Sequence, residues 1–323
     1  MKTRWSPVFT MVTLLAGPAM GGTFDGHWIG YVAPSGRCHG VATMTITVSG
    51  DTFSGAVHNP QNVAPFQGSI DAEGNATFTT QRGHPGIIKF TAEHFDANWR
   101  SGGCQRHGLG DRAPDAAQTA ARVVQRQQAQ ATYDALTARA ATGDRSVDFT
   151  LLRASYPFTR QWDPNSSTSG PLLQQARAAA GGQDCAAALQ KLDEVLKIDY
   201  TIIAAHRLRS GCLRGGPART EAWIADRLMD SLRDGGNGRT EATAYPVMTL
   251  HEEADLLADR HVVLKARDID VRGSNGRFYD VVRGISLQYG DVRIQDVYFD
   301  VTAEVNGRSS MIAAADAAKS ATP

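Results

Sequence analysis

The side chains of this 323-residue sequence best suited to hold a metal are Cys38, His39, Cys104 and His107. Two thiolates and two imidazoles are the donor set of a tetrahedral zinc site, and a Cys₂His₂ centre is the sharpest chemical reading these residues allow. Neighbours on a strand point to opposite faces, so Cys38 and His39 reach one ion only where a bulge or loop turns them. The competing reading is a Cys38–Cys104 disulfide with the histidines standing near turns. Six of the nine histidines (His27, His39, His58, His84, His94 and His107) fall in the first third of the chain. A hydrolase or metal-dependent enzyme built on that stretch is therefore the alternative function.

Three further constellations carry less. His251 and Asp255 lie one helical turn apart beside Glu252 and Glu253, but Thr249-Leu250-His251-Glu252 has the S/T-x-x-E form of a capping box. Acidic residues in a first turn also suit the helix dipole. Asp280, Asp296 and Asp300 could converge across neighbouring strands on a cation, against the plainer reading that they flank strand ends on a wet face. Gly108-Leu109-Gly110-Asp111-Arg112-Ala113 matches G-x-G-x-x-G/A, yet a dinucleotide site needs a βαβ unit with a following parallel strand. No strand is predicted for the next hundred residues, so the match reads as chance. The sequence has no G-x-S-x-G, H-E-x-x-H, C-x-x-C or P-loop pattern.

The elements that must position these residues divide the chain five ways. Residues 1–21 read as a secretory signal peptide: Lys2 and Arg4 precede an apolar run from Val8 to Ala19, and Ala19 and Gly21 fill the small-residue positions. That run is shorter than the roughly 20 residues a membrane helix needs, so the expectation is a periplasmic or secreted protein without a membrane span. Residues 22–110 read as an all-β domain. Met44, Ile46 and Val48 alternate with Thr43, Thr45 and Thr47, and turn signals recur about every ten residues. About eight short strands are expected, closing into a small antiparallel barrel or sandwich, with Trp28, Phe66, Phe78, Phe90 and Trp99 as core.

Residues 111–143 read as a linker helix, with Pro114 in its first turn and its end near Gly143. Residues 144–306 read as an α+β domain. Helical stretches at Leu172–Ala180, Cys185–Ile198, Thr201–Leu213 and Arg219–Leu232 precede a strand at Thr243–Met248, a helix at Leu250–Asp259 and three strands. Antiparallel packing of the second and third stretches sets Cys185 beside Cys212. With Cys38 and Cys104 this makes two cysteines per domain, the pattern of two intradomain disulfides in an oxidising compartment. Residues 307–323, small, polar and Ala-rich, read as a disordered tail.

Three resemblances follow from these residues. Phe24-Asp25-Gly26-His27-Trp28-Ile29-Gly30 and the closing Phe95 to Cys104 are similar to the ends of small β-barrel domains of exported bacterial proteins. Gln183 to Leu189, with Leu192, Leu196 and Ala205, resembles one and a half tetratricopeptide units. In it Gln183 stands where a Gly is usual, and Asp199-Tyr200 replaces the usual turn proline. The strand Gly276 to Val282, the Glu252-Glu253 helix and the closing Val297-Tyr298-Phe299-Asp300 resemble an uncharacterised bacterial family, domain of unknown function 4919. That resemblance implies a fold and brings no catalytic or binding residues with it.

The 33 basic and 33 acidic residues balance to a formal net charge of zero, which lacks the basic footprint of a nucleic-acid binder. No cofactor is implied. The reading that fits best is a non-enzymatic protein- or peptide-interaction module of the bacterial envelope, working through a groove on the helical hairpins.

Overall fold

Eight strands pair antiparallel in sequence order: β1 (Gly26–Ala33), β2 (Ala42–Ser49), β3 (Thr52–Asn59), β4 (Asn62–Ile70), β5 (Asn75–Thr80), β6 (Pro85–Phe90), β7 (His94–Ser101) and β8 (Cys104–Arg112). β8 returns to β1 and closes the ring, so of barrel and sandwich the barrel is found. The computed structural model describes residues 22–33, 42–59, 62–81, 83–101, 104–164, 166–273, 275–288, 291–305 and 307. The expected signal peptide, Cys38, His39 and the tail beyond 307 lie outside them.

The barrel is filled by aromatic rings set against glycines of the neighbouring strand. Phe66 stands opposite Gly55, Phe53 opposite Gly68, Phe78 opposite Gly86 and Phe95 opposite Gly110. A Cβ on Gly55 would come within 2.6 Å of the Phe66 ring, and one on Gly68 within 2.8 Å of Phe53. An eight-stranded barrel leaves an interior just wide enough for side chains, and alternating Gly with Phe is how this sequence fits large rings into it. Trp28, Phe66, Phe78, Phe90 and Trp99 are all buried there. The G-x-G-x-x-A match lies mostly within β8, where Gly108 faces Met44 and Trp99, and Gly110 faces Phe95. Its glycines make room for barrel rings inside an antiparallel sheet.

On the outside of the closure seam, Tyr31 of β1 faces Leu109 of β8. Both are buried in the same apolar cluster as Tyr133, Leu152 and Phe299 of the second unit, so the seam is the barrel surface that the rest of the chain covers.

The linker helix α1 (Ala116–Ala141) starts later than its sequence suggests. β8 runs on to Arg112, Asp115 is the N-cap, and Gln118 completes a capping box. Pro114 precedes the cap and is not in the first turn. Asp115 accepts the Gln118 amide while the Gln118 side chain accepts the Asp115 amide, which fixes the boundary.

Beyond it come α2 (Phe149–Ser155), α3 (Ser169–Gly181), α4 (Cys185–Ile198), α5 (Ile203–Cys212), α6 (Gly215–Arg233), β9 (Tyr245–Pro246), α7 (Leu250–Asp259), β10 (Val262–Arg272), β11 (Phe278–Gln288) and β12 (Asp291–Asp300). The sheet order is β10-β11-β12-β9, and β9 runs parallel to β12. The expected antiparallel segment is thus a mixed sheet. The strand expected over Thr243–Met248 shrinks to two residues, because Glu241–Thr243 forms a 3₁₀ turn and Pro246 has no N–H for a longer ladder.

α6 turns Ile224, Leu228 and Leu232, one helical turn apart, onto Val282, Val297 and Phe299 of the sheet. α3, α4 and α5 hold a smaller core of their own, including Leu173, Ala176, Leu192, Val195 and Ala205. Tyr200 packs against both clusters. Cys185 and Cys212 stand at disulfide distance with Cα atoms 5.1 Å apart. No described helix is long and apolar enough to cross a membrane.

Candidate functional site

Among the described residues, those singled out in the sequence do not assemble into one centre. Cys38 and His39 lie outside the described residues. His107, on β8, places Nε2 3.1 Å from Asp96 Oδ2 on β7. The remaining barrel histidines are spread over several strands, with His27 on Thr47 Oγ1 at 3.0 Å, His58 on Thr45 Oγ1 at 3.1 Å and His94 on Asp111. Among the described residues no three His, Cys, Asp or Glu side chains are grouped to hold a metal.

The three strand aspartates do not share a cation either, because each has its own arginine. Asp280 binds Arg267, Asp296 binds Arg283 at 2.8 Å and Asp300 binds Arg277 at 2.9 Å. Asp280 and Asp300 are buried, which corrects the expectation of a wet face. On Asp280's side of the sheet Glu253 of α7 adds a second carboxylate to Arg267 at 2.6 Å. Burial first, then the Asp280 charge, holds the Glu253 carboxyl well above its ordinary pKa.

At the start of α7, Thr249 caps the helix as its sequence suggests, accepting from the Glu252 amide. Glu252 does not close the box. Its carboxylate turns inward and takes Arg153 of α2 through two bonds, 2.6 and 2.9 Å. Arg153 also donates to the carbonyls of Ser231 and Pro246. The guanidinium thus ties α2, α6, α7 and the strand β9 in a buried fork, the geometry for which Arg is suited.

Next to this fork stands a Ser/His/Asp group that the sequence could not pick out. Asp163 accepts from the amides and hydroxyls of Ser167 and Ser169 and from the Thr168 amide, and Ser169 Oγ lies 3.2 Å from His251 Nε2. In a nucleophilic triad the acid holds the imidazole, which in turn takes the serine proton. Here Asp163 holds the serine itself, with Ser169 Oγ donating to it at 2.9 Å, and Ser169 is fully buried. The arrangement starts α3 and seals the loop before it. It does not present a nucleophile. Burial pushes the His251 pKa down, with the Asp163 charge opposing.

An open groove of about 460 Å³ lies between α1 and the hairpins α4–α6. Tyr133 of α1 and Tyr200, in the α4–α5 turn, meet there, the Tyr200 amide donating to Tyr133 Oη at 2.8 Å. From α4 come Asp193, Leu196 and Lys197, from α5 Arg209 and from α6 Glu221. Arg209 bridges the two acids, with Nε 3.0 Å from Glu221 and Nη1 on Asp193. Behind this wall His206 is fully buried. It is clamped between Glu221 at 2.6 Å and the Tyr200 carbonyl at 2.9 Å. Asp134 of α1 and Lys197 are exposed at the rim. The groove therefore offers an aromatic floor, an aliphatic patch and fixed charges of both signs, a surface suited to holding an extended segment by shape and polar contact.

Behind the floor, at the end of α4, Asp199 is fully buried beside Tyr133 and Tyr156. Its Oδ1 accepts from the Thr201 amide and hydroxyl at 2.7 and 2.6 Å, whereas Oδ2 has no partner among the described residues. Burial pushes its pKa up to about 7, with Glu252 and Asp163 adding repulsion and the Thr201 bonds opposing.

Comparison of the chain with protein-family models, with curated proteins and with solved structures gives no match.

Proposed function

We propose that the protein is an exported, non-enzymatic interaction module of the bacterial envelope that holds a peptide or an extended segment of a partner protein in the groove between α1 and α4–α6. The observation that carries this reading is a contrast in exposure. Ser169, Arg153, Glu252 and Asp199 are sealed in the core and committed to holding elements together, while the one site described above that is open and chemically mixed is bounded by helical hairpins. α3 begins at Ser169 and α5 at Ile203, a spacing of about 34 residues, the period of tetratricopeptide units. Two such hairpins cannot bury their faces alone, and α1 on one side with the mixed sheet on the other supplies the packing that further repeats would give. The sequence resemblance to domain of unknown function 4919 agrees with a fold-bearing unit without a catalytic set, and the apolar amino-terminal run with export.

The test is selection of random peptides against the mature full-length chain, followed by calorimetric titration of the enriched sequences. Asp193→Lys, Lys197→Glu and Asp134→Lys, all exposed positions, should each change the affinity of selected peptides by about tenfold. Peptides whose binding ignores all three substitutions would place the binding surface elsewhere.

A further inference from the structure

On the side of the barrel away from its covered seam, β2 to β5 contain no Asp, Glu, Lys or Arg, in a chain with 66 such residues. The side chains they turn outward are mostly hydroxyls and amides, with one imidazole and the apolar Ala56, Val63 and Pro65. Three adjoining depressions run across this face, sharing Gln67 and Thr79 in their linings, so that one trough extends from Thr45 on β2 to Asn98 on β7. With strands about 4.8 Å apart, the five intervals make a path of roughly 24 Å that follows the curve of the barrel wall. Several of its hydroxyls are already oriented, since His58 and His27 hold Thr45 and Thr47. Exposed aliphatic side chains stand at its margins, Val63 beside His58 and Ile87 on β6.

From this face we infer that the trough is a binding site for a neutral polysaccharide chain. Over β2–β5 an anionic or cationic ligand would lose its water and meet no counter-charge, which is costly; a carboxylate, Asp96, stands only at the β7 end, where it accepts from Asn98. A nucleic acid would find no cation for its phosphates. A protein interface would draw on aromatic, Met or Arg anchors, and the outward side chains of β2–β5 include none. A polyhydroxyl chain, in contrast, exchanges water for Ser, Thr, Gln and Asn partners nearly one for one, and the C–H faces of its rings can rest on Val63 and Ile87. The trough is separate from the helical groove, so the barrel would tether the protein to glycan while the hairpins hold a partner.

The inference is tested on the mature full-length protein by co-sedimentation with insoluble cellulose, chitin and β-1,3-glucan, and by titration with their soluble hexasaccharides. Polyanionic alginate serves as the charged comparison. Binding to at least one neutral glycan, none to alginate, and a loss of tenfold or more in affinity in both Thr79→Glu and Gln67→Glu at unchanged melting temperature are expected. Both positions are exposed, so neither substitution should disturb the fold. No binding to any of the three glycans, or binding that both variants retain, overturns it. So does a dimer in sedimentation velocity that Thr79→Glu dissociates, since the face would then serve self-association. None of these outcomes depends on the α1–α6 groove.

Discussion

Arg153 and Glu252, 99 positions apart, form a two-pronged ion pair with both side chains withdrawn from solvent. The pair joins the helix that opens the second unit to the helix that leads into its sheet, and Arg153 spends its remaining donors on the carbonyls of Ser231 and Pro246. Breaking one side of such a pair leaves the other charge uncompensated in the core, which costs about 3–5 kcal/mol. Arg153→Met should therefore lower the urea midpoint of the second unit sharply, whereas the double variant Arg153→Met/Glu252→Leu should recover much of the loss. A single variant no less stable than the parent would mean that the fork contributes little to holding α2 on α7.

The buried acids make a prediction about pH. Burial pushes the Asp199 pKa up to about 7 and that of Asp255 up to about 6, and it holds the Glu253 carboxyl well above its ordinary value. A carboxyl with a raised folded pKa favours the native state while protonated, and that contribution is lost as pH rises from its unfolded value through its folded one. The loss runs from about pH 4 upward and is largest above pH 7. His251, whose folded pKa is lowered, works in the opposite sense below about pH 6.5. Three acids outweigh one imidazole, so the melting temperature should be higher at pH 5.5 than at pH 8, by an amount equivalent to about 2 kcal/mol or more. Asp199→Asn should flatten the dependence. A melting temperature that rises from pH 5.5 to 8 would contradict the burial of these groups as ionisable acids.

The disulfide-distance pair Cys185 and Cys212 bounds a loop of sequence separation 27 across the α4–α5 hairpin. Closing a loop of that length removes roughly 3–4 kcal/mol of chain entropy from the unfolded state in the simplest account. Cys185→Ser/Cys212→Ser should lower stability by about that amount and leave the barrel's own transition in place. Equal stability of variant and parent under oxidising conditions would show that the bridge does not form.

Much of this architecture is legible in the sequence because it is written in local patterns. Alternation of Met44, Ile46 and Val48 with threonines gives a strand, and recurring turn residues give eight of them. Leu250–Asp259 and Cys185–Ile198 are bounded by Thr249 and Asp184, whose side chains cap them. What local pattern does not contain is pairing at a distance. Nothing around Arg153 announces Glu252, and nothing at Asp163 names Ser169 as its partner, although the run Asp163 to Ser169 is rich in residues that bend back on their own backbone. The Glu252-Glu253 pair reads as helix-capping charge, yet three-dimensional packing sends one carboxylate to Arg153 and the other to Arg267. The groove was foreseeable only as a class of surface, because its walls come from α1, α4, α5 and α6 at once.

The glycines facing the barrel rings offer the most direct test of that unit. Gly68 stands opposite both Phe53 and Phe78, and a methyl there would come within 2.8 Å of the Phe53 ring while also running into the Thr77 carbonyl. Backbone cannot yield as the end of a side chain can, and overpacking of this kind costs about 1–3 kcal/mol or more. In a free strand the same change is favourable by up to about 1 kcal/mol, since Gly loses more entropy on folding than Ala. The sign therefore separates the two regimes. Gly68→Ala should destabilise the barrel, and adding Phe53→Leu should regain little, because the closest clash is with the Thr77 carbonyl and not with the ring. Calorimetric unfolding of both variants decides it: a Gly68→Ala protein as stable as the parent would mean that the rings are not held against the strand backbone as described.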